Sequence, residues 1–249
     1  MKRFAVKIAY LGSLFSGSQA QPGLYTVESA VRRDLGLVLK TEDPDLKFSS
    51  RTDKGVNSLG NTIVFYSPME DGNVLLKALN SVSESIFYRS WCEVGEDFNV
   101  RYASRRIYRY VLFGEFDMQI VEKCCRLFEG THDFSSFCHA DGRSTTVTID
   151  RISCIEKSKT IVLEFEARYY LWNMIRRISA AIGSAGSGKT EITEIAAALD
   201  GKRISFGTGR PDALTLIDVQ YDFLEFAGAD PRGFSGRRDE NARDAYLKL

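Results

Sequence analysis

GSAGSGKT, residues 183–190, has the G-x-x-x-x-G-K-[ST] spacing with which a glycine-rich turn aims successive backbone N–H groups at nucleotide phosphates. LTLID, residues 214–218, ends in a carboxylate after an apolar run, as a magnesium-binding partner of such a loop would. Cys124, Cys125, His132, Cys138 and His139 supply metal-ligand side chains within a short span, but their spacing fits none of the paired-ligand patterns of zinc sites. A zinc nucleobase deaminase would also need H-x-E and P-C-x-x-C, and neither occurs. Asp53, between Arg51 and Lys54 in the polar loop SSRTDKGVNSLGN, reads on its own as a self-neutralised turn. Arg101, Arg105, Arg106 and Arg109 form one basic cluster and Arg176 with Arg177 another; such clusters contact phosphates or face solvent.

These groups must be positioned by regular elements. Phe4, Val6, Ile8 and Tyr10 alternate with Ala5, Lys7 and Ala9, the period of a half-buried strand. Thr26 is a good N-cap for a helix whose face is Val27, Ala30, Val31, Leu35 and Val38. Residues 62–66 read as a strand, 73–79 as a helix, and 106–113 as a central strand with aromatic and aliphatic residues on both faces. Residues 147–155 and 161–167 look like an antiparallel pair. Leu171, Met174, Ile175, Ile178 and Ile182 share one helix face, and 214–221 read as a last strand. The mixture predicts an α+β fold with a mainly antiparallel sheet. Strand, loop, helix, strand occurs twice, which divides the chain into residues 1–105 and 106–249.

That layout decides how GSAGSGKT reads. A phosphate-binding loop leaves a buried strand, whereas Gly183 follows the helical face ending at Ile182. The stretch therefore reads as a glycine-rich helix C-terminus, with Thr190 capping a helix over 191–199. A nucleotide-binding protein using Lys189 and Asp218 is the rival reading.

The chain has 249 residues, 44% of them hydrophobic and 27% charged, the composition of an ordinary soluble protein. No apolar run approaches the roughly 20 residues of a membrane span, and the opening MKRFAVKIAY alternates instead of forming a signal-peptide core. A cytoplasmic protein is expected. Five cysteines, without a C-x-x-C pair, argue for reduced thiols. Lys plus Arg and Asp plus Glu are 33 each, which excludes a chain that adheres to nucleic acid through net charge alone.

Three segments together resemble the tRNA pseudouridine synthase A family. SRTDKGVNS, residues 50–58, is similar to the family's G-R-T-D-x-G-V-H-A loop; FNVRYASRRIYRYVL, residues 98–112, to its F-H-A-R-x-S-A…R-x-Y-x-Y strand; and YLWNMIRRISAAIGSAGSGK, residues 170–189, to F-L-x-N-M-V-R-x-x-V-G…V-G-x-G-K. The last match accounts for the P-loop look-alike. The resemblance implies two similar α/β subdomains with sheets joined across a central basic cleft. It implies a homodimer that grips tRNA and converts uridine to pseudouridine in the anticodon arm, at positions 38 to 40 of the tRNA.

The same resemblance implies roles. Asp53 is the catalytic carboxylate, as nucleophile or base. Tyr108 stacks on the target uracil and Arg176 lies beside the carboxylate, while Arg51 fills the space left by the extruded base. Thr52, Asn57, Arg106 and Asn173 complete the substrate contacts. No metal, nucleotide or other cofactor is implied. An inactive tRNA-binding relative is the remaining alternative, against which the intact set of Asp53, Tyr108 and Arg176 argues. Leu11, Ser18, Ser50 and Asn57 replace the family's Asp, Trp, Gly and His in loops expected to face RNA, and Ala180 and Ala213 replace glycines.

Overall fold

The computed structural model describes residues 1–41 and 43–228. They group into two compact units, Met1–Ser104 with the chain from Thr215 onward, and Arg105–Leu214.

In the first unit, β1 (Lys2–Tyr10) is buried along most of both faces. α1 (Val27–Leu39) starts where expected: Thr26 Oγ1 accepts from the Ser29 N–H, Ser29 Oγ accepts from the Thr26 N–H, and Lys40 at φ 54° ends the helix. β2 (Lys47–Phe48) pairs with β3 (Asn57–Ser67), α2 (Gly72–Val82) starts at Asp71, and β4 (Phe87–Glu93) follows. β3 and β4 flank β1, both antiparallel. α1, α2 and this sheet enclose a core that includes Phe4, Ile8, Val31, Leu35, Leu75 and Leu79. Each such side chain contributes roughly 1.5–3 kcal/mol on burial.

The second unit opens with β5 (Arg105–Phe113) and α3 (Met118–Phe128), continues through β6 (Gly130–Asp133), β7 (Thr146–Ile149), β8 (Arg151–Lys157) and β9 (Thr160–Ala167), and ends with α4 (Met174–Gly186) and α5 (Ile192–Leu199). Its sheet runs β5-β9-β8, antiparallel throughout, and β6 pairs separately with β7. The expected strand over 147–155 is thus two strands with different partners. The Asp150 N–H bonds the Glu166 carbonyl at 2.9 Å, where β8 takes up its ladder. Alternation alone does not reveal a change of partner.

β10 (Leu214–Gln220) returns the chain to the first unit and lies parallel to β3, with Thr215 opposite Asn57 and Leu216 opposite Ser58. β11 (Ala227–Gly228) pairs with β4. The sequence division at 105/106 had given everything after 105 to the second unit. The chain from Thr215 instead groups with the first, because the β10 pairing, the Lys7–Asp218 ion pair and the Tyr221 hydroxyl on the Val100 carbonyl all tie it there. The tail beyond Gly228 lies outside the described residues. The fold is α+β with mainly antiparallel sheets, and no helix among the described residues is long and apolar enough to cross a membrane.

Candidate active site

The Asp53 loop sits between β2 and β3, and buried polar side chains hold it from below. The Tyr10 hydroxyl at the end of β1 lies 2.8 Å from Thr52 Oγ1. Asn61 Nδ2 donates to that hydroxyl at 3.2 Å and to the Ser50 carbonyl at 2.9 Å. Ser49 Oγ donates to Asn61 Oδ1 at 2.8 Å. Tyr10 and Asn61 are fully buried, and burial raises the Tyr10 hydroxyl pKa, which keeps it a donor.

A second loop closes over the first. Ser18 binds Thr52 twice: the Thr52 N–H donates to Ser18 Oγ at 2.8 Å, and the Ser18 N–H donates to the Thr52 carbonyl at 3.0 Å. Asn57 Oδ1 accepts from the Gly12 N–H at 2.9 Å. A Cβ on Gly12 would lie 2.3 Å from the Val56 carbonyl oxygen, so only glycine permits this backbone approach. Two of the departures, Ser18 and Asn57, therefore join the loops within the protein. Asp53 is half-buried at the crest, its carbonyl accepting from the Val56 N–H at 3.1 Å, and Arg51 is exposed.

In the second unit, β5 sorts its residues by the strand period. Arg106, Tyr108 and Tyr110 are buried on one face. Tyr108 meets Tyr170 edge-on, 5.3 Å between ring centroids at 86°. Arg106 donates to the Arg168 carbonyl, and the Tyr170 hydroxyl reaches the Arg106 carbonyl at 3.4 Å. Burial raises the Tyr170 hydroxyl well above its ordinary range, with Tyr108 adding to the effect. Arg105 and Arg109 face the other way and pair with Glu166 at 2.8 Å and Glu164 at 3.1 Å on β9. All four arginines of this cluster were candidates for phosphate contact, with some expected by the strand period to point away, and Arg105 and Arg109 lie on the face opposite Arg106.

Arg176 lies in the first turn of α4. Its Nε donates to the Gly209 carbonyl at 2.8 Å and its Nη1 to Asn173 Oδ1 at 2.9 Å, so two neutral acceptors fix the plane of the guanidinium. Asn173 occupies the left-handed region, φ 61°, at the helix start. Gly209 packs so closely that a Cβ there would lie 2.3 Å from the Tyr110 hydroxyl. Arg177 donates instead to the Cys138 carbonyl.

GSAGSGKT ends α4 in a Schellman turn. The Gly188 N–H bonds the Ala185 carbonyl at 2.9 Å, the Lys189 N–H bonds the Ser184 carbonyl at 2.9 Å, and Gly188 takes φ 72°. These N–H groups are spent on the helix end. Asp218 pairs with Lys7. The cap of α5 is Glu191, whose N–H donates to Glu194 Oε2, while Thr190 turns its hydroxyl to Ser184 Oγ at 2.7 Å. Thr190 is therefore not the expected cap. Cys124 and Cys125 are core residues of α3, with burial raising Cys124 to about 11 and Cys125 further. Among the described residues no three His, Cys, Asp or Glu side chains gather as metal ligands.

Asp53, Arg51, Thr52 and Asn57 thus sit together in the first unit, and Arg106, Tyr108, Asn173 and Arg176 in the second. The sequence did not single out Tyr10, Asn61 or Tyr170, whose polar groups act on residues 11 to 64 positions away. A buried tyrosine or asparagine carries no local signal of such a bond.

A family model described as tRNA pseudouridine synthase matches residues 124–222. The tRNA pseudouridine synthase A of Pyrococcus abyssi is 38% identical over 233 residues, covering 90% of this chain and 86% of that one. That of Thermococcus kodakarensis is 34% identical, covering 95% and 91%, and that of Archaeoglobus fulgidus is 35% identical, covering 91% and 86%.

Proposed function

The chain belongs to the tRNA pseudouridine synthase family, isomerases that act on uridine in tRNA, and from that premise we propose that Asp53 is its catalytic carboxylate and the anticodon arm its target. The reaction breaks the bond from ribose C1′ to uracil N1 and forms one from C1′ to C5. The C5 proton is lost and N1 gains one, so atoms and electrons balance without an external group. The proposed enzyme therefore works without metal, nucleotide or redox cofactor.

Asp53 attacks C1′ or takes a sugar proton as the uracil leaves. Tyr108 stacks on the uracil while it turns and takes up the C5 proton, and the Arg176 guanidinium stabilises negative charge near the carboxylate. Arg51 fills the place of the extruded base, and Thr52, Asn57, Arg106 and Asn173 complete the substrate contacts and the loops that carry them. We further infer a homodimer acting in the cytoplasm on positions 38 to 40 of tRNA.

The observation that carries this reading is the support under Asp53. Tyr10, Asn61 and Ser18 fix the residues just before it through four hydrogen bonds, and a fifth joins Asn61 to Tyr10, the kind of preorganisation a positioned carboxylate requires. The test is tritium release from tRNA labelled at C5 of uridine, in EDTA without nucleotide, followed by mapping of the product. Release by wild type and none by Asp53→Asn is expected, with pseudouridine confined to the anticodon arm. Full activity of Asp53→Asn, or loss of wild-type activity in EDTA, would overturn it.

A further inference from the structure

The turn that delivers Arg176 also carries an exposed indole. Trp172 is 50% exposed, three residues before the helix face that buries Ile175 and Ile178. The exposed His139 ring packs edge-on against it, centroids 4.3 Å apart at 68°. The backbone fixes this pair, because the His139 N–H donates to the Trp172 carbonyl at 2.9 Å and Arg177 Nη1 holds the neighbouring Cys138 carbonyl at 2.9 Å. Tyr169, 48% exposed, precedes it on the same segment.

A single exposed aromatic is ordinary on a protein surface. Two features set this one apart. It is a pair of rings whose backbones are locked together, so little side-chain freedom is lost when a flat ligand settles on it. It also lies in RYYLWNMIRR, residues 168–177, which holds three arginines and no acidic residue. Flat apolar rings within a cationic stretch fit a stacked base on a polyanionic chain.

We propose that Trp172, backed by His139, is a stacking platform for a nucleobase of the RNA substrate next to the nucleotide that Arg176 addresses. This rests on the synthase reading above and adds a contact to it. The platform binds and orients without touching the reacting atoms. Its loss therefore weakens the hold on tRNA more than it slows the chemistry.

Stacking on an aromatic side chain changes affinity by about 5- to 150-fold per base. Trp172→Ala should raise KM for tRNA by about tenfold or more with kcat within about twofold of wild type, and Trp172→Phe, which keeps a ring, should recover most of the loss. The chain has two tryptophans, and Trp91 is packed on Phe4 with its Nε1 on Asn73. In a Trp91→Phe, Asp53→Asn protein Trp172 is then the sole indole, and its fluorescence should be quenched by unmodified tRNA with the Kd of direct binding. An unchanged KM in Trp172→Ala, or tRNA binding without quenching, would overturn the platform. If wild type formed no pseudouridine, the synthase reading would fall, and the fluorescence titration would still decide the platform.

Discussion

The Tyr10 hydroxyl lies 2.8 Å from Thr52 Oγ1, one residue before Asp53, although the two are 42 positions apart. A core tyrosine at the end of β1 thus reaches the loop that carries the proposed catalytic carboxylate. Asn61 supplies the hydroxyl with a donor and the loop with another, so removing the hydroxyl takes a partner from the buried Asn61 amide and from the half-buried Thr52 hydroxyl.

Tyr10→Phe should cost about 1–3 kcal/mol of stability for those groups. It should also lower kcat about ten- to a hundredfold through misplacement of Asp53, with KM for tRNA little changed. Urea unfolding and single-turnover tritium release measure the two effects separately. A stability loss with kcat intact would show that the hydroxyl only fills the core.

Asn173 has two roles that two substitutions separate. Asn173→Gly keeps the left-handed backbone and removes the acceptor on Arg176 Nη1. A hydrogen bond to a charged group is worth about 1.5–3 kcal/mol, so kcat/KM should fall at least about tenfold. Asn173→Ala should add about 1–2 kcal/mol of backbone strain at φ 61°. Wild-type kcat/KM in Asn173→Gly would make the contact dispensable.

The glycines of GSAGSGKT should matter for folding and not for nucleotide. A Cβ on Gly186 would lie 2.7 Å from Val121 Cγ2 on α3, so Gly186→Ala should destabilise by about 1–3 kcal/mol. Lys189→Ala should leave tritium release unchanged, and wild type should bind no ATP in equilibrium dialysis. Saturable ATP binding abolished by Lys189→Ala would reinstate the phosphate-loop reading.

Asp34 is buried beside Arg33 and the Tyr88 hydroxyl, and its carboxyl pKa is raised, chiefly by burial, with hydrogen bonds from Ser83, Arg33 and Tyr88 opposing. A carboxyl whose folded pKa lies above its unfolded value of about 3.9 contributes stability at low pH, and that contribution is lost as pH rises through the folded pKa. Asp34→Asn lacks this titration. The stability of wild type relative to the variant should therefore fall as pH rises from about 4 through the folded pKa in urea unfolding. A difference that is flat or grows with pH would show the sign to be wrong.

The sequence made the Asp53 loop, the Tyr108 strand and the Arg176 helix legible because each is a contiguous stretch whose letters keep a fixed spacing. It was less informative wherever a partner is distant. The strand over 147–155 split because alternation looks the same in two ladders, and α5 was capped by Glu191 because Thr190 found Ser184 instead. β4 and α3 went unassigned. β4 carries charged and polar residues at its edges, and α3 mixes buried Cys124 and Cys125 with exposed charge. Arg105 and Arg109 looked like Arg106 in composition; the strand period puts them on the face opposite Arg106, and the carboxylates on β9 that pair with them are distant in sequence.

β10 gives the chain an order of assembly. The unit that carries Asp53 is left at Ser104 and completed only when Thr215 and Leu216 reach Asn57 and Ser58. A ribosome adding roughly 5–20 residues per second needs several seconds to make the intervening Arg105–Leu214. Through that interval β3 waits beside the Asp53 loop with its pairing positions at Asn57 and Ser58 unfilled by β10, so the first unit to emerge is the last to be finished. A nascent chain stalled before Thr215 would hold every residue named in the proposed chemistry and still lack the strand that pairs with Asn57 and Ser58.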